Sequence, residues 1–143
     1  EARLRLVGFA TLAEGLADAR DVTAAARAAG FRGLEASAMS RASVAEIQAG
    51  DVDSAVSHAR LAVELSDGQG TDDLSWPAIV RNSAVVLQQA GLTDEARQIV
   101  ARGTAWLRDT AERRVPPEFR DSFLNRNAVN RELLRLATRL GSL

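Results

Sequence analysis

The architecture of this chain is indicated most clearly by residues 50–65, which read Gly50-Asp-Val-Asp-Ser-Ala-Val-Ser-His-Ala-Arg-Leu-Ala-Val-Glu-Leu65. The pattern of small residues in this stretch has a degenerate echo 41 positions later, where Gly50 corresponds to Gly91, Ala55 to Ala96, Ala59 to Val100 and Ala62 to Gly103. Small side chains at helical spacing let two helices pack closely. Their return at a fixed period predicts a stack of helical hairpins.

The composition indicates an all-α fold in one domain. The chain has 143 residues, of which 46% are hydrophobic, and this suits one domain with a real core. Alanine is the commonest residue and all 18 basic residues are arginine, while aromatic or β-branched runs of strand length are missing. The absence of cysteine excludes disulfides and favours a cytoplasmic location. No apolar run approaches the roughly 20 residues that a membrane helix needs, so we expect no membrane contact.

Glycines, prolines and capping residues predict where the helices begin and end. We expect Asp51, Thr71, Thr93 and Asn127 to act as helix caps, and Pro116 with Pro117 to break the chain. Pro77 must lie near the start of its helix or mark the true first turn. The expected helices cover residues 3–29 with a break near 18–21, then 34–49, 52–66, 72–90, a helix that follows the cap Thr93 and continues to about 113, then 118–124 and 128–140.

We expect a single domain over residues 1–143, divided into a partial repeat (1–29), two repeats (30–70 and 71–114) and C-terminal capping helices (115–143). The last helix has an apolar face that would cover the open end of the stack, formed by Val129, Leu133, Leu136 and Leu140. The chain starts inside an apparent helix without an initiating methionine, so we interpret it as a piece of a longer protein. Its uncapped apolar start predicts self-association through Leu4, Leu6, Val7 and Phe9.

The repeated stretch resembles a tetratricopeptide (TPR) motif. In that family a small residue ends the first helix of each hairpin, as Gly50 and Gly91 would here, and further small residues let the second helix pack closely, as Ala55, Ala59 and Ala62 would. The family's aromatic residue on the first helix is absent. The resemblance covers most of residues 30–110 and implies antiparallel helical hairpins stacked as a short TPR-like solenoid.

A second resemblance lies in the last third of the chain. Val115-Pro-Pro-Glu-Phe-Arg-Asp-Ser-Phe-Leu-Asn, followed by Asn130-Arg-Glu-Leu-Leu, resembles the end of the TPR-like C-terminal region of large bacterial ATP-binding signalling and transcriptional regulators. In those proteins the region is a sensor or protein-interaction arm without catalytic residues. The resemblance therefore implies a regulatory module and no enzyme activity.

Mapping the repeat onto the chain predicts a concave groove lined by the first helix of each hairpin. Arginine, asparagine and glutamine side chains there could bind the backbone and carboxylates of an extended peptide, although they could also be ordinary solvated residues. The predicted groove residues are Arg41, Val44, Gln48, Arg81, Asn82, Val85, Gln88 and Gln89, with Ser40 beside them.

An alternative is binding of nucleic acid or an acidic partner through the arginine stripe Arg131, Arg135 and Arg139. Residues 1–99 carry 9 arginines against 14 acidic residues, whereas residues 100–143 carry 9 against 5. The whole chain nevertheless has a net charge of −1 and lacks a set of stacking aromatics, which disfavours nucleic acid. Unequal charge blocks are also common on solvated surfaces.

Enzyme chemistry has little support in the sequence. His58 is the only histidine, and no carboxylates stand at a recognisable spacing from it, so we expect a structural or solvent-facing role and neither a metal nor a cofactor. Trp106 is expected in the core. For Trp76 the core, an interface and a ligand wall remain open.

Overall fold

The computed structural model describes residues 2–67 and 75–141, with side chains from residue 12 onward. Within these ranges the chain is helical and contains no strand, which confirms the all-α class. The helices are α1 (Ala2–Ala29), α2 (Arg32–Gln48), α3 (Val52–Ser66), α4 (Trp76–Gln89), α5 (Thr93–Arg113) and α6 (Ala128–Leu140), with a 3₁₀ turn (Pro117–Phe119) and a π-helical turn (Ser122–Arg126) between α5 and α6. None of these helices is both long enough and apolar enough to cross a membrane.

Alternate helices form a row. α2 packs against α4, and α4 packs against α6, while α3 lies against both α2 and α4 and α5 lies against both α4 and α6. α1 packs along α2. The row α2–α4–α6 is the part of the fold that positions the candidate site.

The small residues of the repeat lie at close helix contacts, as their spacing predicts. Ala55, Ala59 and Ala62 of α3 are fully buried. Val86 of α4 packs against Ala55 and Ala59, and side chains of α2 lie beside them. At the corresponding place on α5, a methyl group added to Gly103 would lie 2.7 Å from Cγ1 of Val80. A larger side chain at these positions would push the helices apart.

The main hydrophobic core runs through all the helices from α2 to α6. Met39, Ile79 and Leu107 are among its largest fully buried side chains. The predicted apolar face of α6 is buried in this core through Leu133, Leu136 and Leu140, while Val129 is half-buried. Trp76 also belongs to the core, and Trp106 is half-buried against it.

Two predicted caps are confirmed. Asp51 accepts a hydrogen bond from the backbone N–H of Ser54 at 3.3 Å, and Asn127 accepts one from Asn130 at 3.1 Å. The bounds of α3 and α6 are those expected from the sequence. Gly50 and Gly91 follow α2 and α4 with φ angles of 86° and 84°, a left-handed conformation that glycine adopts without steric cost.

Other boundary predictions are wrong. α1 runs without a break through residues 18–21, because Asp18 and Asp21 point to solvent and interrupt neither the backbone ladder nor the packing. Thr93 is the first residue of α5 and not its cap, which is Leu92 without a side-chain hydrogen bond. The prediction that Pro77 marks the true first turn is confirmed, because α4 begins at Trp76 and the missing N–H of Pro77 costs nothing there.

Smaller boundary differences concern two other segments. α2 begins at Arg32, two residues earlier than expected, with Gly33 inside its first turn. The segment expected as one short helix over 118–124 instead divides into the 3₁₀ turn and the π-helical turn. The expected cap Thr71 and the expected helix start at residue 72 lie outside the described residues.

Candidate binding groove

A cavity of about 660 Å³ opens between α1, α2 and α4, and we call it the first cavity. Five of the eight predicted groove residues line it, which are Arg41, Val44, Gln48, Arg81 and Asn82. Leu12, Gly15 and Ala45 complete its wall. The structure therefore brings together side chains that lie 40 residues apart in the sequence, from the first helices of both predicted repeats.

A second cavity, of about 560 Å³, lies on the other side of α4, between α4 and α6. It is lined by Arg81, Val85, Glu132, Arg135, Leu136, Thr138 and Arg139. Because Arg81 lines both cavities, they adjoin at this side chain. We call the two cavities together the groove.

The guanidinium group of Arg81 is held in place at this junction. Its Nη1 donates to Glu132 Oε2 at 2.8 Å, and its Nε and Nη2 donate to Asn82 Oδ1 at 3.3 and 3.1 Å. Asn82 in turn donates from Nδ2 to Oγ of the buried Ser40 at 3.3 Å. A side chain oriented in advance loses less conformational entropy when it binds a ligand.

The groove is positively charged. Arg41, Arg135 and Arg139 are exposed, and none of them has an acidic partner among the described residues. Glu132 is the one acidic residue that lines either cavity within the described part of the chain, and it is bound to Arg81. An anionic ligand group would therefore meet arginines whose charge is not already compensated.

Not all predicted site residues line the groove. Gln88 and Gln89 share the face of Arg81 and Val85 but are exposed at the last turn of α4 and line neither cavity. Arg131 is exposed but also lies outside the second cavity, so the predicted stripe on α6 contributes only Arg135 and Arg139. The side chains of Leu4, Leu6, Val7 and Phe9 lie outside the described residues.

Sequence reasoning missed the contribution of α1 to the groove. Leu12 and Gly15 form part of the first cavity, although the sequence assigns α1 only to a partial repeat. The repeat pattern does not extend to α1, so it carries no signal about which of its faces meets α4. Leu136 and Thr138 were missed because the i, i+4 spacing of the arginines predicts a charged face and does not indicate which other side chains of α6 lie beside it.

Two buried carboxylates on α2 were also missed. The side chain of Glu46 has no exposed surface, and His58 Nδ1 of α3 lies 2.9 Å from its Oε1 and 2.7 Å from its Oε2. Arg20 Nη2 of α1 lies 3.5 Å from Oε1. Nearer the start of α2, Arg27 of α1 donates to the buried Glu35 at 2.7 Å. The contacts of Arg20 and Arg27 hold α1 on α2, and thereby hold the α1 wall of the first cavity, whereas the contact of His58 joins α3 to α2.

An exposed ion pair joins α3 to α5. Arg60 donates from Nε and Nη2 to the two carboxylate oxygens of Glu95, both at 2.8 Å. The hydrogen bond from Arg60 holds the pKa of Glu95 below its ordinary value, and Glu95 raises the pKa of Arg60 in return. This pair lies on α3 and α5, away from the residues that line the groove.

The chemistry available in the groove is hydrogen bonding and charge pairing. Within residues 2–67 and 75–141, no group of three or more histidine, cysteine, aspartate or glutamate side chains is placed to hold a metal ion. His58 is engaged with a buried carboxylate and does not line either cavity.

Comparisons with protein-family models, curated proteins and solved structures find no match to this chain.

Proposed function

We propose that this domain is a non-catalytic protein-interaction module that holds an extended peptide segment of a partner in the groove. The observation that carries the proposal is the first cavity, where Arg41 and Arg81 from neighbouring helices of the row flank a wall of short apolar side chains. Such a surface suits a peptide that combines acidic and apolar residues.

The proposed architecture is a short TPR-like solenoid in which α2–α3 and α4–α5 are successive hairpins and α6 covers the end. Three features support it: the 41-residue period, the equivalent left-handed glycines Gly50 and Gly91, and the row α2–α4–α6 that the first helices of stacked hairpins would form. The resemblance of residues 115–134 to bacterial regulators supports a place in a larger signalling or transcriptional regulator.

The groove residues have distinct roles in the proposed complex. Gln48 carries an amide group that can donate to and accept from a peptide backbone, and Asn82 has a second N–H beyond the one that it donates to Ser40. Arg41 would pair with an acidic side chain, and Leu12 with Val44 would contact an apolar one. Each hydrogen bond to a charged group contributes about 1.5–3 kcal/mol, and these contacts must together outweigh the translational and rotational freedom lost on association.

Nucleic-acid binding through α6 has less support. Arg135 and Arg139 line a cavity with apolar walls, which a sugar–phosphate backbone would leave uncovered. Non-specific nucleic-acid binding depends on many phosphate contacts along an extended surface. The groove instead offers a few cations around apolar side chains.

The experiment is selection from a random-peptide display library on the immobilised domain, followed by titration of the selected peptides. We expect enrichment of peptides with aspartate or glutamate near an apolar residue, and a loss of at least about tenfold in affinity for the double variant Arg41→Ala/Arg81→Ala, which corresponds to about 1.4 kcal/mol. Arg32→Ala is the matched control, because Arg32 is an exposed arginine of α2 that does not line the groove. Enrichment of basic peptides, or equal binding by the double variant, would contradict the proposal.

A further inference from the structure

The second cavity carries more uncompensated positive charge than the single negative charge of one carboxylate would neutralise. Arg135 and Arg139 both line it, and neither has an acidic partner among the described residues. Arg81 and Glu132 also line it, but their charges compensate each other across a contact of 2.8 Å. The cavity therefore presents two uncompensated positive charges, whereas Arg41 provides one in the first cavity.

A phosphate group matches this charge better than a carboxylate. A phosphorylated serine or threonine carries a charge of about −1.5 to −2 near neutral pH and has three strong acceptor oxygens. Guanidinium groups bind phosphate oxygens through pairs of parallel N–H groups. Residues at i and i+4 of a helix have Cβ atoms about 5–6 Å apart, so Arg135 and Arg139 can both reach the oxygens of one phosphate.

The walls of the cavity indicate what accompanies the phosphate. Leu136 of α6 and Val85 of α4 supply apolar surface beside the two arginines. A free phosphate ion would leave this surface uncovered, and so would the sugar–phosphate backbone of a nucleic acid. A peptide presents one phosphate with an apolar side chain next to it.

We propose that the second cavity binds a phosphorylated serine or threonine of the partner segment, with a neighbouring apolar residue against Val85 and Leu136. This inference rests on the proposed function, because the phosphate arrives on the peptide that the groove holds. The adjoining first cavity takes the unmodified acidic part of the same segment.

The test uses two degenerate synthetic peptide libraries, one with a central phosphoserine and the other with unmodified serine at the same position. We expect the immobilised domain to retain the phosphorylated library at least about tenfold better, in line with two charge-assisted contacts to one phosphate. Arg135→Ala/Arg139→Ala should remove this preference. The matched control Arg32→Ala/Arg108→Ala should keep it, because both arginines are exposed and lie outside the two cavities.

Equal retention of the two libraries would overturn the inference, as would a preference that survives the Arg135→Ala/Arg139→Ala variant. Displacement of the phosphopeptides by an equal concentration of inorganic phosphate would show that the peptide part contributes nothing, and would also overturn it. Tighter binding of a single-stranded oligonucleotide through the same two arginines would assign the cavity to nucleic acid instead. Failure here is distinct from failure of the proposed function, which depends on binding of unmodified acidic peptides through Arg41 and Arg81.

Discussion

Gly103 shows how a single atom limits the approach of helices in this fold. It lies in the middle of α5, where glycine costs about 1 kcal/mol relative to alanine in helix propensity. A Cβ atom at this position would nevertheless lie 2.7 Å from Val80 Cγ1 and 3.1 Å from Leu133 Cδ2. Glycine is therefore required by the contact of α5 with α4 and α6.

We expect Gly103→Ala to destabilise the domain, although alanine is the better helix former. The neighbour that must move is a β-branched valine, whose χ1 angle is stiff in a helix, so the expected loss is about 1–3 kcal/mol of unfolding free energy. Urea unfolding measures it. Val80→Ala removes the obstructing methyl groups, so Gly103→Ala should cost less in the Val80→Ala background; equal costs in both backgrounds would contradict the proposed contact.

Ala55 tests the same principle on α3. It is fully buried against Val86, and Ala55→Leu should cost about 1–3 kcal/mol through overpacking. Ala105→Leu is the control, because Ala105 is an exposed alanine inside α5 and should change the urea midpoint little. If Ala55→Leu unfolds at the midpoint of the parent protein, the close-packing assignment is wrong.

At the scale of helices, residues 12–29 of α1 contact α2 through ion pairs as well as through apolar burial. Ala26 is its one fully buried residue in the part with described side chains, 12–29. Arg20 and Arg27 pair with the carboxylates of Glu46 and Glu35 on α2. A buried carboxylate is costly when a partner is removed, because its charge stays in a low-dielectric site.

Because a buried carboxylate is costly without its partner, the loss of His58 and the loss of the Glu46 charge should have unequal effects on stability. His58→Leu should destabilise the domain by about 2 kcal/mol or more, because it leaves the wholly buried Glu46 with only Arg20 at 3.5 Å. Glu46→Gln should recover a large part of that loss in the His58→Leu background, since a neutral amide needs no counter-charge. Thermal unfolding of the four proteins gives the coupling energy; additive effects would contradict it.

The ion pair of Arg60 with Glu95 predicts a pH dependence of stability. Because the pKa of Glu95 is lowered in the folded protein, the pair stabilises the fold fully above the ordinary glutamate pKa and loses this effect as the pH falls through the lowered value. Both side chains are partly exposed, so the effect at neutral pH should be at most about 1 kcal/mol.

The variant Glu95→Gln tests this pH dependence, because it removes the carboxylate that pairs with Arg60. Its urea midpoint should lie below that of the parent protein at pH 7 and approach it at acidic pH, below the range in which glutamate titrates. A difference that stays constant across this range would show that the Arg60 interaction does not depend on the charge of Glu95.

Most of the helices could be predicted from the sequence, because local interactions set where they begin and end. Asp51 and Asn127 cap α3 and α6 through short-range hydrogen bonds that a sequence pattern can carry. The start of α5 could not be predicted, because Leu92 is an apolar residue without a capping side chain and Thr93 is the stronger local signal. The pair of Glu46 with His58 escaped prediction because a buried charge is visible only when its neighbours on other helices are known.

At the scale of the whole molecule, the row α2–α4–α6 places residues from three separate helices along one groove. The 41-residue period makes Arg41 equivalent to Asn82, so it was sufficient to predict that Arg41 would share a face with Asn82 and with the neighbouring Arg81. It could not predict that α1 closes the first cavity or that α6 opens the second, because neither helix belongs to the repeated stretch. The count of charges along the chain predicted that α6 is positively charged, but it could not predict that Val85 of α4 lines the same cavity as the arginines of α6.

The most direct test of the central claim is an amide-resolved NMR titration of the domain with an acidic peptide obtained by display selection. Binding in the groove should shift signals over residues 41–48 of α2, 81–85 of α4 and 132–139 of α6. The exposed residues of α3, such as Asp53, Ser57 and Arg60, should stay unchanged. Shifts that cluster on α3 and α5, with the groove signals unmoved, would contradict the account.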